Sequence, residues 1–153
     1  MDKNIDLYLT NQTEQAKLIY TIGILWSQIS TKLETVLAKY NLNIAKFNIL
    51  MIIKHIGGKQ GIQQNEISKR LLVTASNITK LLDKLEKDGM ITRNSKENDR
   101  RVKLILITDF ASEILDDAWK IYQKEVKKIT VKIPEKEAKE LNLKLLEWLT
   151  NIK

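Results

Sequence analysis

The sequence contains no cysteine, one histidine and one proline in 153 residues. Without cysteine there is no disulfide, no thiolate nucleophile, no thiol redox switch and no zinc site built on sulfur. One histidine, His55, excludes a multi-histidine metal site or a relay of histidine acid–base steps within one subunit. Aromatic residues are sparse at 6%, and no apolar run approaches the roughly 20 residues of a membrane-crossing helix. The first residues lack the apolar stretch and small-residue cleavage site of a secretion signal, so the sequence predicts a cytoplasmic protein with no membrane partner. No nucleophile, acid–base pair or ligand cluster forms a motif; the chain is expected not to be an enzyme, and no metal or cofactor is implied.

What is present describes one globular domain, with 43% hydrophobic and 29% charged residues. The net charge of +7 is unevenly placed. Residues 44–108 hold nine lysines and all four arginines against six acids, whereas the two ends together balance thirteen lysines with thirteen acids. Excess positive charge confined to the middle of the chain suggests a polyanion-binding module between scaffold segments. Arg70, Arg93, Arg100 and Arg101 strengthen this, because the planar guanidinium suits phosphates and guanine edges better than an ammonium does.

Apolar residues recur at helical spacing over 13–40, at Leu18, Ile22, Leu25, Ile29, Leu33, Val36 and Leu37, which predicts a long amphipathic helix. Asn43 can cap a second helix that Gly57 and Gly58 stop, and 63–71 reads as a short third. Thr74 can cap a fourth helix running to Asp88, with Ile78, Leu81, Leu82 and Leu85 as its buried stripe and Gly89 as its stop. The period then changes from helical to alternating, predicting strands over 90–95 and 102–108 joined by a charged loop, 96–101. Asp109 can cap a fifth helix, and Pro134 fits the first turn of a last one. The fold class expected is mainly α with a small β-hairpin wing (α+β).

Two helices joined by a short turn and followed by a hairpin form a winged helix-turn-helix, whose second helix enters the DNA major groove. On the fourth helix Ser76, Asn77, Thr79, Lys80, Asp83 and Lys84 face away from the leucine stripe. Asn suits bidentate contact with adenine, Ser and Thr can meet base or phosphate, and Lys80 and Lys84 suit phosphate. Arg100 and Arg101 at the wing can enter the minor groove or meet phosphate; Asp99 would repel phosphate and is assigned instead to holding the wing in shape. A rival reading makes the winged module a protein-interaction surface without sequence-specific DNA binding.

The stretch Asp83, Lys84, Leu85, Glu86, Lys87, Asp88, Gly89, Met90, Ile91, then Arg93, then Asp99, Arg100, Arg101, then Leu106, Ile107, Thr108, resembles the MarR family of bacterial transcription regulators. The likeness is specific over about 42–111. It implies a homodimer that reads a pseudo-palindromic double-stranded DNA operator as a repressor. The chain then divides into an N-terminal dimerisation helix (1–43), the winged helix-turn-helix (44–108) and C-terminal dimerisation helices (109–153). By motif position, Thr74 to Lys80 match the DNA-reading part of the helix, and Asp99 and Arg101 match the wing motif. Release by a small aromatic or anionic effector is also implied, with Trp26, His55, Trp119 and Tyr122 as the candidate ligand pocket. Independently, tryptophans and leucines on the terminal helices carry more apolar surface than one small module needs to bury, which favours dimerisation.

Overall fold

A computed structural model describes residue 10 and residues 12–71, 75–96 and 99–152, with side chains at 72–76 and 96–102 outside the description. Helix α1 (Glu14–Leu37) starts where Thr13 accepts a hydrogen bond from the Ala16 amide at 3.3 Å, and a 3-10 turn (Ala38–Tyr40) closes it on Asn41, whose φ of 56° is left-handed. Asn43 caps α2 (Ile44–Ile52) by accepting from the Lys46 amide at 2.9 Å, as its short side-chain carbonyl is suited to do. A π-helical turn, Ile53–Gly57, and a 3-10 turn, Gly58–Gln60, lead into β1 (Ile62–Gln63), α3 (Gln64–Leu71) and α4 (Ala75–Lys87). Strands β2 (Ile91–Lys96) and β3 (Asp99–Ile107) form the wing, and α5 (Asp109–Thr130) and α6 (Glu135–Asn151) complete the order.

Four sequence expectations are corrected. The sheet has three antiparallel strands in the order β1-β3-β2, because Ile62 and Gln63 pair with Ile105 and Leu104 before α3 begins. Gly61 makes this approach possible: it has φ of 77°, and a Cβ there would stand 3.1 Å from the Ile105 carbonyl oxygen. Second, β3 begins at Asp99, so Arg100 and Arg101 belong to a strand and the 96–101 loop is shorter than expected. Apolar alternation reports only the part of a ribbon that lies over the core, and its polar outer end pairs all the same. Third, α5 is capped by Thr108, which accepts from the Ala111 amide at 3.2 Å, with Asp109 in the first turn. Fourth, Pro134 stands at the N-cap of α6 rather than within its first turn.

The core is centred on the helix-turn-helix. Phe47, Ile49, Leu50 and Ile53 meet Ile67 from α3, Ile78, Leu82 and Leu85 from α4, Ile91 and Ile105 from the sheet, and Leu115 and Ala118 from α5. Helix α1 packs along α5 and supplies Leu33 and Leu37 to the interior. Helix α6 buries no residue fully, and Leu141, Leu143, Leu146, Leu149 and Ile152 are all exposed. Among the described residues, no single helix is long and apolar enough to cross a membrane.

Candidate nucleic-acid interface

Helix α4 is positioned by its own apolar stripe: Ile78, Leu82 and Leu85 are fully buried, while Asn77, Thr79, Lys80, Asp83 and Lys84 are exposed. A helix held down along one face must present the opposite one, and here that face is polar. Gln64 Nε2 donates to Thr79 Oγ1 at 2.7 Å, which fastens the first helix of the pair to the second. Thr79 therefore takes part in joining α3 to α4 as well as facing outward. Lys80 and Lys84 make no ion pair with any described residue.

Of the remaining sequence-predicted residues, Thr74 lies outside the described residues. So do the side chains of Ser76, Asp99, Arg100 and Arg101, whose backbones lie in α4 and β3. Near the outer end of the wing, Lys103 Nζ donates to Ser95 Oγ at 2.7 Å across the two strands.

Two of the four arginines have internal partners that sequence reasoning missed. Arg70 bonds Glu66 four residues earlier on α3, at 2.8 Å. Arg93 on β2 reaches back to α4, where its guanidinium bonds Asp83 Oδ1 at 2.6 Å and Glu86 Oε2 at 2.8 Å. This fork ties the wing to the recognition helix and neutralises two carboxylates on the face where phosphates would lie. Asp83 is thus a wing anchor, not a free polar position. The spacing gives one weak signal, since Asp83 and Glu86 are three apart on a helix and share a face.

At its C-terminal end α4 is fastened twice. Lys46 Nζ donates to Asp88 Oδ2 at 2.8 Å, and Thr108 Oγ1 donates to the Gly89 carbonyl oxygen at 2.9 Å. The Lys46 hydrogen bond, helped by the charges of Lys46, Lys84 and Lys87, holds the Asp88 carboxyl below its ordinary range against the opposing effect of burial. The same pattern recurs where Lys54 Nζ bonds Asp116 Oδ1 at 2.6 Å and joins the π-helical turn to α5.

Of the four residues assigned to a ligand pocket, two stack together and one lines a concavity. Trp119 and Tyr122 stack with buried Phe47, with ring centroids 5.7 Å apart from each other and 6.1 and 4.9 Å from Phe47. His55 is exposed on the π-helical turn. Trp26 lines a separate concavity of about 380 Å³ between α1, α2, α3 and α4, with Ser30, Glu34, Ile44, Asn48, Leu71 and Leu81 among its neighbours.

Comparison with known proteins agrees with this geometry. The MarR family model matches residues 42–103. The regulator PecS of Dickeya dadantii is 32% identical over 63% of this chain and 58% of its own length, so the chain spans little more than half of that relative. MhqR of Bacillus subtilis is 27% identical over 79% of this chain and 81% of its own. Among solved structures, BldR of Sulfolobus solfataricus superposes with a TM-score of 0.75 at 26% identity, over 99% of both chains. The S. aureus MepR–DNA complex superposes at 0.80 with 20% identity, over 92% of this chain and 99% of that one. RdhR-CbdbA1625, solved with 2,4-dichlorophenol, superposes at 0.85 with 19% identity, over 94% and 83%. Residues 42–103 thus match the MarR family of winged helix-turn-helix transcriptional regulators, and nearly the whole chain shares the fold of the solved regulators above.

Proposed function

We propose that two copies of this chain bind a pseudo-palindromic double-stranded DNA operator as a sequence-specific repressor, with α4 in the major groove and the β2–β3 wing at the minor groove. The observation that carries the reading is the two-sidedness of α4: a fully buried Ile78, Leu82 and Leu85 stripe, and an outward face bearing Asn77, Lys80 and Lys84. Asn77 reads a base edge, with Ser76 beside it, while Thr74, Lys80 and Lys84 meet phosphate. Arg100 and Arg101 supply the wing contacts, and Asp99 shapes the wing. Thr79 contributes by holding α3 to α4 as well as by facing the groove.

Dimerisation is supported by the apolar surface that one subunit leaves open. Leu18, Ile19 and Leu25 on α1 are about half exposed or more, as are four leucines on α6 and Ile152 just after it, and Ile22 forms a groove with Leu145, Leu146, Trp148, Leu149 and Ile152. Surface of this kind, continuous between both terminal helices, is what a two-fold partner would cover.

A small effector would release the DNA by favouring a dimer whose helices no longer match the groove spacing. The Trp26 concavity supports an aromatic ligand: it adjoins both the dimerisation helix and α4, and its lining includes Glu34 and no described cation, which disfavours the anionic class. A structural neighbour, RdhR-CbdbA1625, was solved with a chlorinated phenol.

Selection from a randomised duplex pool tests the DNA reading. Enrichment of an inverted repeat with half-site centres about 10 base pairs apart, bound by two chains per duplex, is the expected result. A pool that shows no enriched motif and no retained duplex would transfer the winged module to the protein-interaction reading.

A further inference from the structure

The recognition helix ends on a residue that its own dipole disfavours. Asp88 directly follows α4, at the negative end of the helix dipole. The compensating charge comes from 42 positions away: Lys46 Nζ donates to Asp88 Oδ2 at 2.8 Å and to the Asn41 carbonyl oxygen at 3.4 Å. Lys46 is 4% exposed and is the one buried charged residue among those described. Burying a lysine is unfavourable unless it is paired and hydrogen-bonded, and an apolar side chain would pack there at lower cost. What the ion pair adds is a single allowed geometry.

Three segments meet at this ammonium. Asn41 follows the 3-10 turn that closes α1, Lys46 lies in the first turn of α2, and Asp88 directly follows α4. On the other side of the same helix end, Gly89 accepts from Thr108, the cap of α5. Both long helices of the scaffold are therefore joined by polar bonds to one end of α4, while the base-reading residues Ser76 and Asn77 lie at the other. A 13-residue helix is about 20 Å long at 1.5 Å per residue, so a tilt of about 10° at the fastened end moves the reading end by about 3 Å. That is close to the roughly 3.4 Å rise of one base pair.

We propose that Lys46, acting through Asp88 and Asn41, is a positioning residue that fixes the angle between the recognition helix and the dimerisation helices, and so the half-site spacing that the dimer accepts. The inference rests on the DNA-binding reading above.

The test uses a duplex selected by the wild-type chain, the same duplex with one base pair inserted between its half-sites, and a scrambled duplex. Wild type should lose about tenfold or more on insertion. Lys46→Met, unbranched and of similar length, should lose less than about threefold on insertion, with scrambled-duplex affinity and salt slope unchanged, while Lys46→Arg restores the penalty. A full insertion penalty in Lys46→Met, or an equal loss on all three duplexes, would overturn the proposal. If Lys46→Met does not fold, Lys46→Met with Asp88→Leu, which leaves no orphaned charge, is read by the same criteria. If the wild-type chain selects no duplex, the DNA-binding reading fails first and takes this inference with it.

Discussion

Replacing Asn77 with alanine should separate recognition from folding, because the side chain is exposed on the outward face of α4 and packs into no core. Asn77 is exposed on α4 and makes no hydrogen bond to any described residue, so its loss should cost no stability. Alanine is the better helix former by roughly half a kcal/mol, and the melting temperature should hold or rise slightly. A bidentate Asn–adenine pair is worth about 1–3 kcal/mol of discrimination, and a two-fold dimer makes the contact twice. The operator should then lose about 2–6 kcal/mol, at least about 30-fold in Kd, while a scrambled duplex binds as before. Lys84→Ala is the control: it removes a phosphate contact from each subunit, so all duplexes weaken alike and the salt slope falls by about 1.8. Fluorescence anisotropy on both duplexes across a salt series, with a urea melt of each variant, measures all of this. An equal loss on operator and scrambled DNA for Asn77→Ala would refute its role in base reading.

Leu82→Ala opens a cavity in the fully buried stripe of α4 and should cost about 2–5 kcal/mol in a urea titration; a cost under about 1 kcal/mol would mean that the stripe does not anchor the helix. Arg93→Gln releases Asp83 and Glu86 on the DNA-facing side and unties the wing, so every duplex should bind more weakly; unchanged affinity would contradict the anchoring role of the fork. Glu66, Asp88 and Asp116 all have carboxyls held below their ordinary range, first by hydrogen bonds from Arg70, Lys46 and Lys54 respectively. The unfolded chain takes up those protons first, so the stabilisation is complete above about pH 5 and is lost as the pH falls through the lowered values. Asp88→Asn should make that acid limb shallower, and an identical limb in the variant would exclude Asp88 from it. If two copies pair through the open face of α6, the wild-type chain should sediment as a dimer and Leu146→Glu combined with Leu149→Glu as a monomer; an unaltered mass would place the interface elsewhere.

Helices and the wing were legible because each carries a period that survives in sequence. The Ile78, Leu82 and Leu85 stripe and the cap at Asn43 are local signals, set by residues a few positions apart. Strand β1 was not legible, since two residues carry no alternation and its pairing depends on Gly61 meeting a strand more than 40 positions away. Thr108 and Asp109 are equally good caps on paper; a tertiary bond from the Thr108 hydroxyl to Gly89 is consistent with the choice of Thr108. The same limit applies to the site. Its outward face could be listed from helical geometry, but the partners of Arg93, Lys46 and Thr79 lie across element boundaries, and only the fold brings them together. The aromatic candidates show the same limit: Trp119 and Tyr122 stack together on α5, whereas Trp26 on α1 lines the concavity between α1, α2, α3 and α4.

The most direct test of the central claim is the affinity of the purified protein for its selected operator and for a scrambled duplex of equal length, measured by anisotropy across a salt series. Both should weaken with salt, at about 0.9 per phosphate neutralised, with the operator held at least about a thousandfold more tightly. Equal affinities with the same steep salt dependence would contradict the account, because they would leave the basic module as a phosphate binder and the outward face of α4 with no sequence to read.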